Sequence, residues 1–556
     1  MKKYLLAGLS VTGGFLSGLA WSEWCSGLIL LVSFVPFFII ENYLYENRKR
    51  YSPNAFFIYV LPGFLIFSML TLGWMRVASM VAAITVIMGM SFLMSFTVWL
   101  AHLVRLRTGN LLSVIAIISF WLCYEYFSLN FDLITPWANL GNGLAKDIMF
   151  IQWYEITGTS GGTLWILLSN IILATFLIKS DFGFKKKHRL LIIWMMIIIL
   201  PPLLSVVRYY SIKPGSGKES EIVIVQPNFD PYTIKFRMPF EKQLNKVIFM
   251  AETETSENTQ WIITPETTVD DPVNEKEPGK NVYINMFREL VERYPDAAVV
   301  TGMTTYTLYQ PSAERPTRSA RFVDSLDTFY DHFNSALKID TSGTVGIYHK
   351  SKLVPGIEKQ FVTGPGRLIS KVLPYLGGSQ WGYGTQDKRS IFIHSTSDVK
   401  VAPIICYESV FGKYITEYVK EGANLLFIIT NDGWWKNTNG YKQHLTYAYL
   451  RAIETRRPVA RCGNTGISAF IDLKGRVISK TEWWTEATLK GNLTPETRLT
   501  PYVRYGDWLL KIGAFSALIV LFIVFPGYLL QKKYKKIRQK MQPAQKNIVI
   551  INRKEE

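Results

Sequence analysis

The sequence predicts a polytopic α-helical membrane domain carrying one large α/β domain outside the bilayer. Three observations predict it. Long apolar runs crowd the first two hundred residues and recur once near the end. Clusters of Lys and Arg sit in the short flanks of those runs. Between residues 210 and 505, short apolar strands alternate with amphipathic helical stretches, as in an ordinary soluble domain.

The 556 residues allow more than one domain. About eight spans are expected in a seven-plus-one arrangement. The first seven are 4–21, 24–41, 56–74, 77–103, 110–129, 162–179 and 190–207, and the eighth is 512–530. The opening "MKKYLLAGLS" resembles a signal peptide, but no small-x-small cleavage site follows it, so the run is read as retained. Four regions result: a bundle over 1–209, the α/β domain over 210–505, a returning helix over 506–530 and a basic tail over 531–556.

Orientation follows from charge. With Lys2 and Lys3 inside, "NRKR" (47–50), "RLR" (105–107), "KKKHR" (185–189) and "QKKYKKIRQK" (531–540) all fall inside. Connection 130–161, nearly free of Lys and Arg, falls outside with residues 210–505. In a bacterium this puts the α/β domain on the outer, periplasmic side of the cytoplasmic (inner) membrane, with both termini in the cytoplasm. The net charge of +18 is thus a topology signal; the expected partner is the lipid bilayer, not nucleic acid. Trp137, in the outer segment "FDLITPWANLGNGLAKDIMFIQWYEITG", suits either a re-entrant, substrate-facing position or an aromatic belt.

Four scattered cysteines form no disulfide framework, and no spacing suggests a metal; neither metal nor cofactor is expected. In the α/β region, "EIVIVQP" (221–227), "WIITPE" (261–266), "AAVVTGM" (297–303) and "ANLLFIITND" (423–432) read as strands. "NSALKID" and "GTVGIYHK" read as a hairpin, and 240–254, 281–294 and 441–457 as helices.

Three strand ends carry useful chemistry. Glu266 closes "WIITPE"; partial burial that raised its pKa would make it a general base. Lys350 ends "GTVGIYHK" and is a candidate for oxyanion stabilisation, with Lys352 competing. Cys406 ends the apolar run of "VAPIICYESVFG" (401–412). It is either a packed core cysteine or a nucleophile whose pKa a following helix start would lower.

Glu266 in "TPET", Lys350 in "YHKSKLVPGIE" and Cys406 in "ICYES" resemble the Glu-Lys-Cys triad of the nitrilase (carbon–nitrogen hydrolase) superfamily. "VQPNFD" (225–230), "TNDGWW" (430–435) and residues 443–472 match the same pattern. With eight spans, the chain resembles its membrane branch, the apolipoprotein N-acyltransferase family. The resemblance implies a nitrilase-like αββα sandwich, with Glu266 as base, Cys406 as nucleophile and Lys350 on the oxyanion. Spacing to Glu358 then favours Lys350 over Lys352. Glu358, Tyr407, Glu408 and Asn334 match accessory positions.

The implied reaction is acyl transfer through a Cys406 thioester. A membrane phospholipid is the donor, a diacylglyceryl apolipoprotein the acceptor, and the enzyme is expected to be a monomer. Trp381, Tyr383, Trp434 and Trp435 are candidate lipid or substrate contacts, with core packing equally weighted. Two departures stand out: "LVPGIE" lacks the usual Phe-Gly before the glutamate, and Lys235-Phe236 replaces a Lys-Trp pair. Segment 311–331 reads as an insertion or lid. The alternative function is a membrane-tethered nitrilase-type amidase acting on a small amide, for which one span would suffice.

Overall fold

A computed structural model describes all residues except 1, 132–133, 180–181, 216, 236, 311–313, 356, 360–381 and 525–556. Helices stand at every expected span. Six are long and apolar enough to cross a membrane: Gly27–Glu46, Ala55–Val77, Met80–Thr108, Asn110–Asn130, Thr159–Ile178 and Phe184–Ser211. The helices at the first and last expected positions are shorter as described: Lys3–Leu19 has 17 residues, and the other runs over Trp508–Val524. The expected basic tail and Trp381 lie outside the described residues.

Small residues let the helices touch. A Cβ on Gly14 would stand 2.0 Å from the Gly63 carbonyl oxygen, and the Gly63 N–H donates to Ser10 Oγ at 2.9 Å. Helix Gly27–Glu46 breaks at Phe34, just before Pro36. Asn170 Oδ1 accepts the Phe34 and Val35 N–H groups at 2.7 and 3.0 Å, so the break leaves those donors paired. Large apolar side chains such as Ile58, Phe92, Leu111, Met196, Leu203 and Phe522 are exposed on these helices, as lipid-facing surfaces require.

Segment 134–158 is a packed plug of short 3₁₀ turns and one helical turn (Tyr154–Thr157). Glu125, buried near the end of helix Asn110–Asn130, holds it. The carboxylate accepts the Leu140 N–H at 2.8 Å, Thr163 Oγ1 at 2.8 Å and the Trp121 indole N–H at 3.2 Å.

The α/β domain contains β1 (Ser220–Gln226), β2 (Thr259–Ile263), β3 (Val269–Asn274), β4 (Ala298–Leu308), β5 (Arg321–Val323), β6 (Thr328–Ile339) and β7 (Gly346–His349). It continues with β8 (Phe392–Ile393), β9 (Lys400–Ile405), β10 (Leu425–Thr430), β11 (Val459–Gly463), β12 (Ala469–Ile471), β13 (Val477–Lys480) and β14 (Ala487–Leu493). Among the described residues these form two sheets. One is ordered β14-β1-β2-β4-β6-β5, with β3 on β4 and β7 on β6; the other is ordered β13-β12-β11-β10-β9-β8. β6 and β7 form the expected antiparallel hairpin. The segment expected as an insertion or lid supplies β5, an antiparallel edge strand on β6.

Strand alternation sorts the side chains. Ile222, Ile224, Trp261 and Ile263 point between the sheets, where Trp261 meets Phe427 at 5.4 Å. Val223, Val225 and Ile262 point the other way, under helices Phe240–Glu254 and Val282–Arg293. Helices Gly412–Lys420 and Asn439–Thr455 cover the second sheet, completing the expected αββα sandwich.

Helix Asn439–Thr455 is also the floor on the membrane side. The Trp137 indole N–H donates to Gln443 Oε1 at 2.7 Å, and the Tyr447 hydroxyl donates to the Trp137 carbonyl at 2.6 Å. Just past the helix, Arg456 donates to Glu155 Oε2 at 2.7 Å and to the Gln152 carbonyl at 2.8 Å. One buried apolar cluster therefore runs from the bundle into the sandwich.

Replacing Glu125 by Ala removes the plug's anchor and strands the Leu140 N–H. A loss of about 1–3 kcal/mol is expected, seen as a lower melting temperature of the detergent-solubilised protein. An unchanged melting temperature would contradict the anchoring role.

Candidate active site

Glu266 follows β2 on a tight turn. Its successor Thr267 has φ 47°, a left-handed conformation that costs a β-branched residue energy. Two features hold the turn. Gly302 in β4 lies so close that a Cβ there would meet the Glu266 Cα at 2.6 Å. The buried Lys235 ammonium donates to Thr267 Oγ1 at 2.8 Å and to the Glu266 carbonyl at 3.4 Å. Lys235 thus braces the base turn, and burial pulls its pKa down to about 8. Phe236, the other member of the departing pair, lies outside the described residues.

Lys350 follows β7, next to β6, and its backbone N–H donates to the Asn334 carbonyl at 2.8 Å. Its ammonium is 1% exposed and reaches Glu266 Oε1 at 2.9 Å and Glu358 Oε1 at 2.8 Å. Asn334 Nδ2 donates to both carboxylates, at 2.9 and 3.2 Å. The Asn431 N–H reaches Glu266 Oε2 at 3.2 Å, and the Val354 N–H reaches Glu358 Oε2 at 2.8 Å. Despite the "LVPGIE" departure, Glu358 therefore enters the cluster. Lys352 does not: its ammonium lies over the Phe411 ring, 4.9 Å from the centroid.

Cys406 follows β9 and opens a 3₁₀ turn, Cys406–Val410. It is buried, with φ 49°. Its thiol is close enough to Glu266 and Lys350 for both charges to act on it.

The electrostatics correct two expectations. Burial alone would raise the Glu266 carboxyl, but the Lys350 charge and hydrogen bond, with Asn334 and Lys235, hold it below its ordinary value. Glu266 is therefore a resident carboxylate, not one poised near neutrality. The Cys406 thiol is pushed well above its ordinary value, by burial first and then by Glu266; Lys350 and Thr430 oppose this only in part. The turn after Cys406 is too short to act as a helix N-terminus, so the resting thiol keeps its proton. Lys350 is held well above its ordinary value: burial works against it, and Glu266 and Glu358 outweigh burial.

Glu408 sits apart from this cluster. Its Oε1 accepts from the Tyr348 and Tyr414 hydroxyls at 2.6 and 2.7 Å and from the Ser351 N–H at 2.7 Å, and its Oε2 accepts the Ile405 N–H at 2.9 Å. It ties the lysine loop to the cysteine turn. The Tyr407 hydroxyl meets Thr135 Oγ1 of the membrane plug at 3.2 Å. The Tyr383 N–H donates to the Glu358 carbonyl at 3.0 Å, and burial raises the phenol to about 12.

Trp137 and Trp435 are packed in the junction, their rings 4.9 and 4.8 Å from Trp74, while Trp434 is partly exposed beside Tyr232. Single residues in the sequence gave no reason to pick Asp432, His444 or Arg461. They form a buried group behind Cys406, inside the stretches "TNDGWW" and "QHLTYAYLRAIETRRPVAR".

Comparison with known proteins bears on this geometry. The apolipoprotein N-acyltransferase N-terminal domain matches residues 13–172, and carbon-nitrogen hydrolase matches residues 305–502. An apolipoprotein N-acyltransferase from Chlorobaculum tepidum is 27% identical over 90% of this chain and 92% of its own. One from Thermotoga maritima is 26% identical over 93% of each. Along most of its length the chain is similar to apolipoprotein N-acyltransferases. Nit3 from Saccharomyces cerevisiae, of the nitrilase superfamily, is similar at 14% identity and a TM-score of 0.37, covering 50% of this chain and 92% of its own. The two domain matches agree with a helical membrane bundle joined to a carbon–nitrogen hydrolase domain.

The cluster's pH dependence has a definite sign. Glu266, depressed, contributes stability above its unfolded value of about 4.3, which is lost as pH falls through its folded value. Lys350, raised, contributes below its unfolded value, and this is lost as pH rises through the folded one. Lys350→Met leaves the buried Glu266 carboxylate without the ammonium that holds it down, so its folded pKa rises and stability increases as pH falls. The variant should lose about 3–5 kcal/mol at pH 8, and melting curves should show the gap to wild type narrowing toward pH 5. A gap independent of pH would contradict this.

Proposed function

We propose that the protein N-acylates the diacylglyceryl-cysteine at the N-terminus of apolipoproteins, with a membrane phospholipid as acyl donor. The observation that carries this reading is where Cys406 sits. It lies beside a buried carboxylate and ammonium, on a turn whose next residue, Tyr407, touches the membrane plug at Thr135. An acyl-transfer thiol at a bilayer boundary suits substrates anchored in that bilayer, because shared confinement replaces an encounter in water.

The residues divide the work as follows. The Glu266 carboxylate takes the Cys406 Sγ proton as the sulfur attacks a phospholipid ester carbonyl. The Lys350 ammonium donates a hydrogen bond to the developing oxyanion. Collapse breaks the ester C–O bond, and Glu266 returns the proton to the departing lysophospholipid oxygen. A thioester remains on Cys406. The free α-amine of the acceptor attacks that thioester; Glu266 takes a proton from the amine and gives it to the leaving sulfur.

Glu358 and Asn334 keep the ammonium and the base in register. The active site is built from one chain, so a monomer suffices. The charge pattern supports a multi-pass protein of the bacterial inner membrane, with the catalytic domain on the periplasmic side and both termini in the cytoplasm.

Intact-mass analysis of protein incubated with labelled phospholipid tests the reading. An acyl-sized increase mapping to the Cys406 peptide is expected, discharged by an acceptor amine and absent in Cys406→Ala. Hydrolysis of a small amide with no adduct from phospholipid would favour the amidase instead.

A further inference from the structure

The left-handed backbone of Cys406 needs an explanation. Such a conformation costs a non-glycine residue about 1–3 kcal/mol and persists only where its surroundings fix it. Glu408 holds the N–H of Ile405, and Ser409 Oγ donates to the Cys406 carbonyl at 2.8 Å. Ser409 lies in the same 3₁₀ turn as Cys406 and would move with it, while Glu408 is anchored from outside by Tyr348, Tyr414 and the Ser351 N–H. A second grip from elsewhere, directly on the Cys406 carbonyl, comes from His444, on helix Asn439–Thr455. Its Nε2 lies 3.2 Å from the Cys406 carbonyl oxygen and 2.9 Å from Ser409 Oγ.

The imidazole is itself locked. Its Nδ1 lies 3.0 Å from Asp432 Oδ1, and the imidazolium form donates from Nδ1 to that carboxylate and from Nε2 to the Cys406 carbonyl, which fixes the ring face presented to Cys406. Asp432 also accepts from Thr430 Oγ1 at 2.7 Å and is ion-paired to Arg461. All three members of the group are essentially inaccessible to solvent. The ring packs between Trp435, at 5.3 Å, and Trp137 of the membrane plug, at 5.8 Å and nearly parallel.

We infer that His444, oriented by Asp432, is a positioning residue that holds the carbonyl of Cys406 and so fixes the nucleophile's elbow, keyed to the seated membrane plug through Trp137. A histidine that merely fills the core would need no match to the Cys406 carbonyl. This inference rests on Cys406 being the nucleophile, and its test does not depend on the phospholipid reading.

The test compares His444→Gln with His444→Asn in the full-length protein. Glutamine's amide nitrogen reaches the place of Nε2; asparagine's reaches only that of Nδ1. Two rates are measured: Cys406 alkylation by iodoacetamide, and thioester formation from labelled phospholipid. Melting temperature is followed alongside. Expected are a glutamine variant within about fivefold of wild type and an asparagine variant slowed about 10²-fold in both rates, since misplacement of a reacting group by about 1 Å carries a cost of that size. Equal rates in the two variants would overturn the inference, as would losses that simply track melting temperature. If asparagine prevents folding, Ser409→Ala combined with His444→Gln replaces it. That pair should be slower than His444→Gln alone, and equality would likewise overturn the inference. If wild type forms no thioester from phospholipid, the donor assignment fails while the alkylation ranking still decides the role of His444.

Discussion

The Lys350 ammonium, bonded to Glu266 and Glu358 inside the sandwich, is the constraint on which the rest of the site depends. Removing such a charge from water costs several kcal/mol, recovered only if both carboxylates stay ionised and in place. That requirement gathers three separate pieces of chain: the turn after β2, the Asn334 position in β6 and the loop from Lys350 to Glu358. It also sets the chemistry. A carboxylate depressed by its neighbour stays ready to accept a proton, while the adjoining thiol, raised by burial, holds its proton until a substrate arrives.

The second dependence runs across the membrane boundary. Helix Asn439–Thr455 packs on the second sheet with one face and holds Trp137 through its own Gln443 and Tyr447 on the other. The hydrogen bonds to Trp137 there are buried, so leaving one unmade is costly. Bundle and sandwich accordingly share one core instead of meeting at a wet interface.

Much of this was legible in the sequence. Long apolar runs announce helices, and clusters of Lys and Arg mark their ends. Residues 221–227 and 261–266 show buried strands because both faces are covered. Glu266, Lys350 and Cys406 stood out as reactive residue types at strand ends. The electrostatics did not, because the direction of the Glu266 shift depends on Lys350, Asn334 and Lys235, which reach it from other elements. His444 was hidden for a similar reason: on a helix it reads as a core residue, and its partners Cys406 and Asp432 come from two other strand ends. Trp137 was equally ambiguous, since a tryptophan near a span end is as common in an aromatic belt as in a protein interior.

The pairing of β1 with β14 has a consequence for biogenesis. Ser220, at the start of the domain, lies opposite Leu493, near its end, in one antiparallel ladder. Through almost the whole synthesis of the domain, the outer edge of β1 has no neighbour and is open to mispairing with other strands. Closing so long a loop also carries an entropy cost that no local contact offsets beforehand. The α/β domain therefore matures when the chain is nearly complete, not when the helices before it have been made, and the nascent sheet needs protection during that interval.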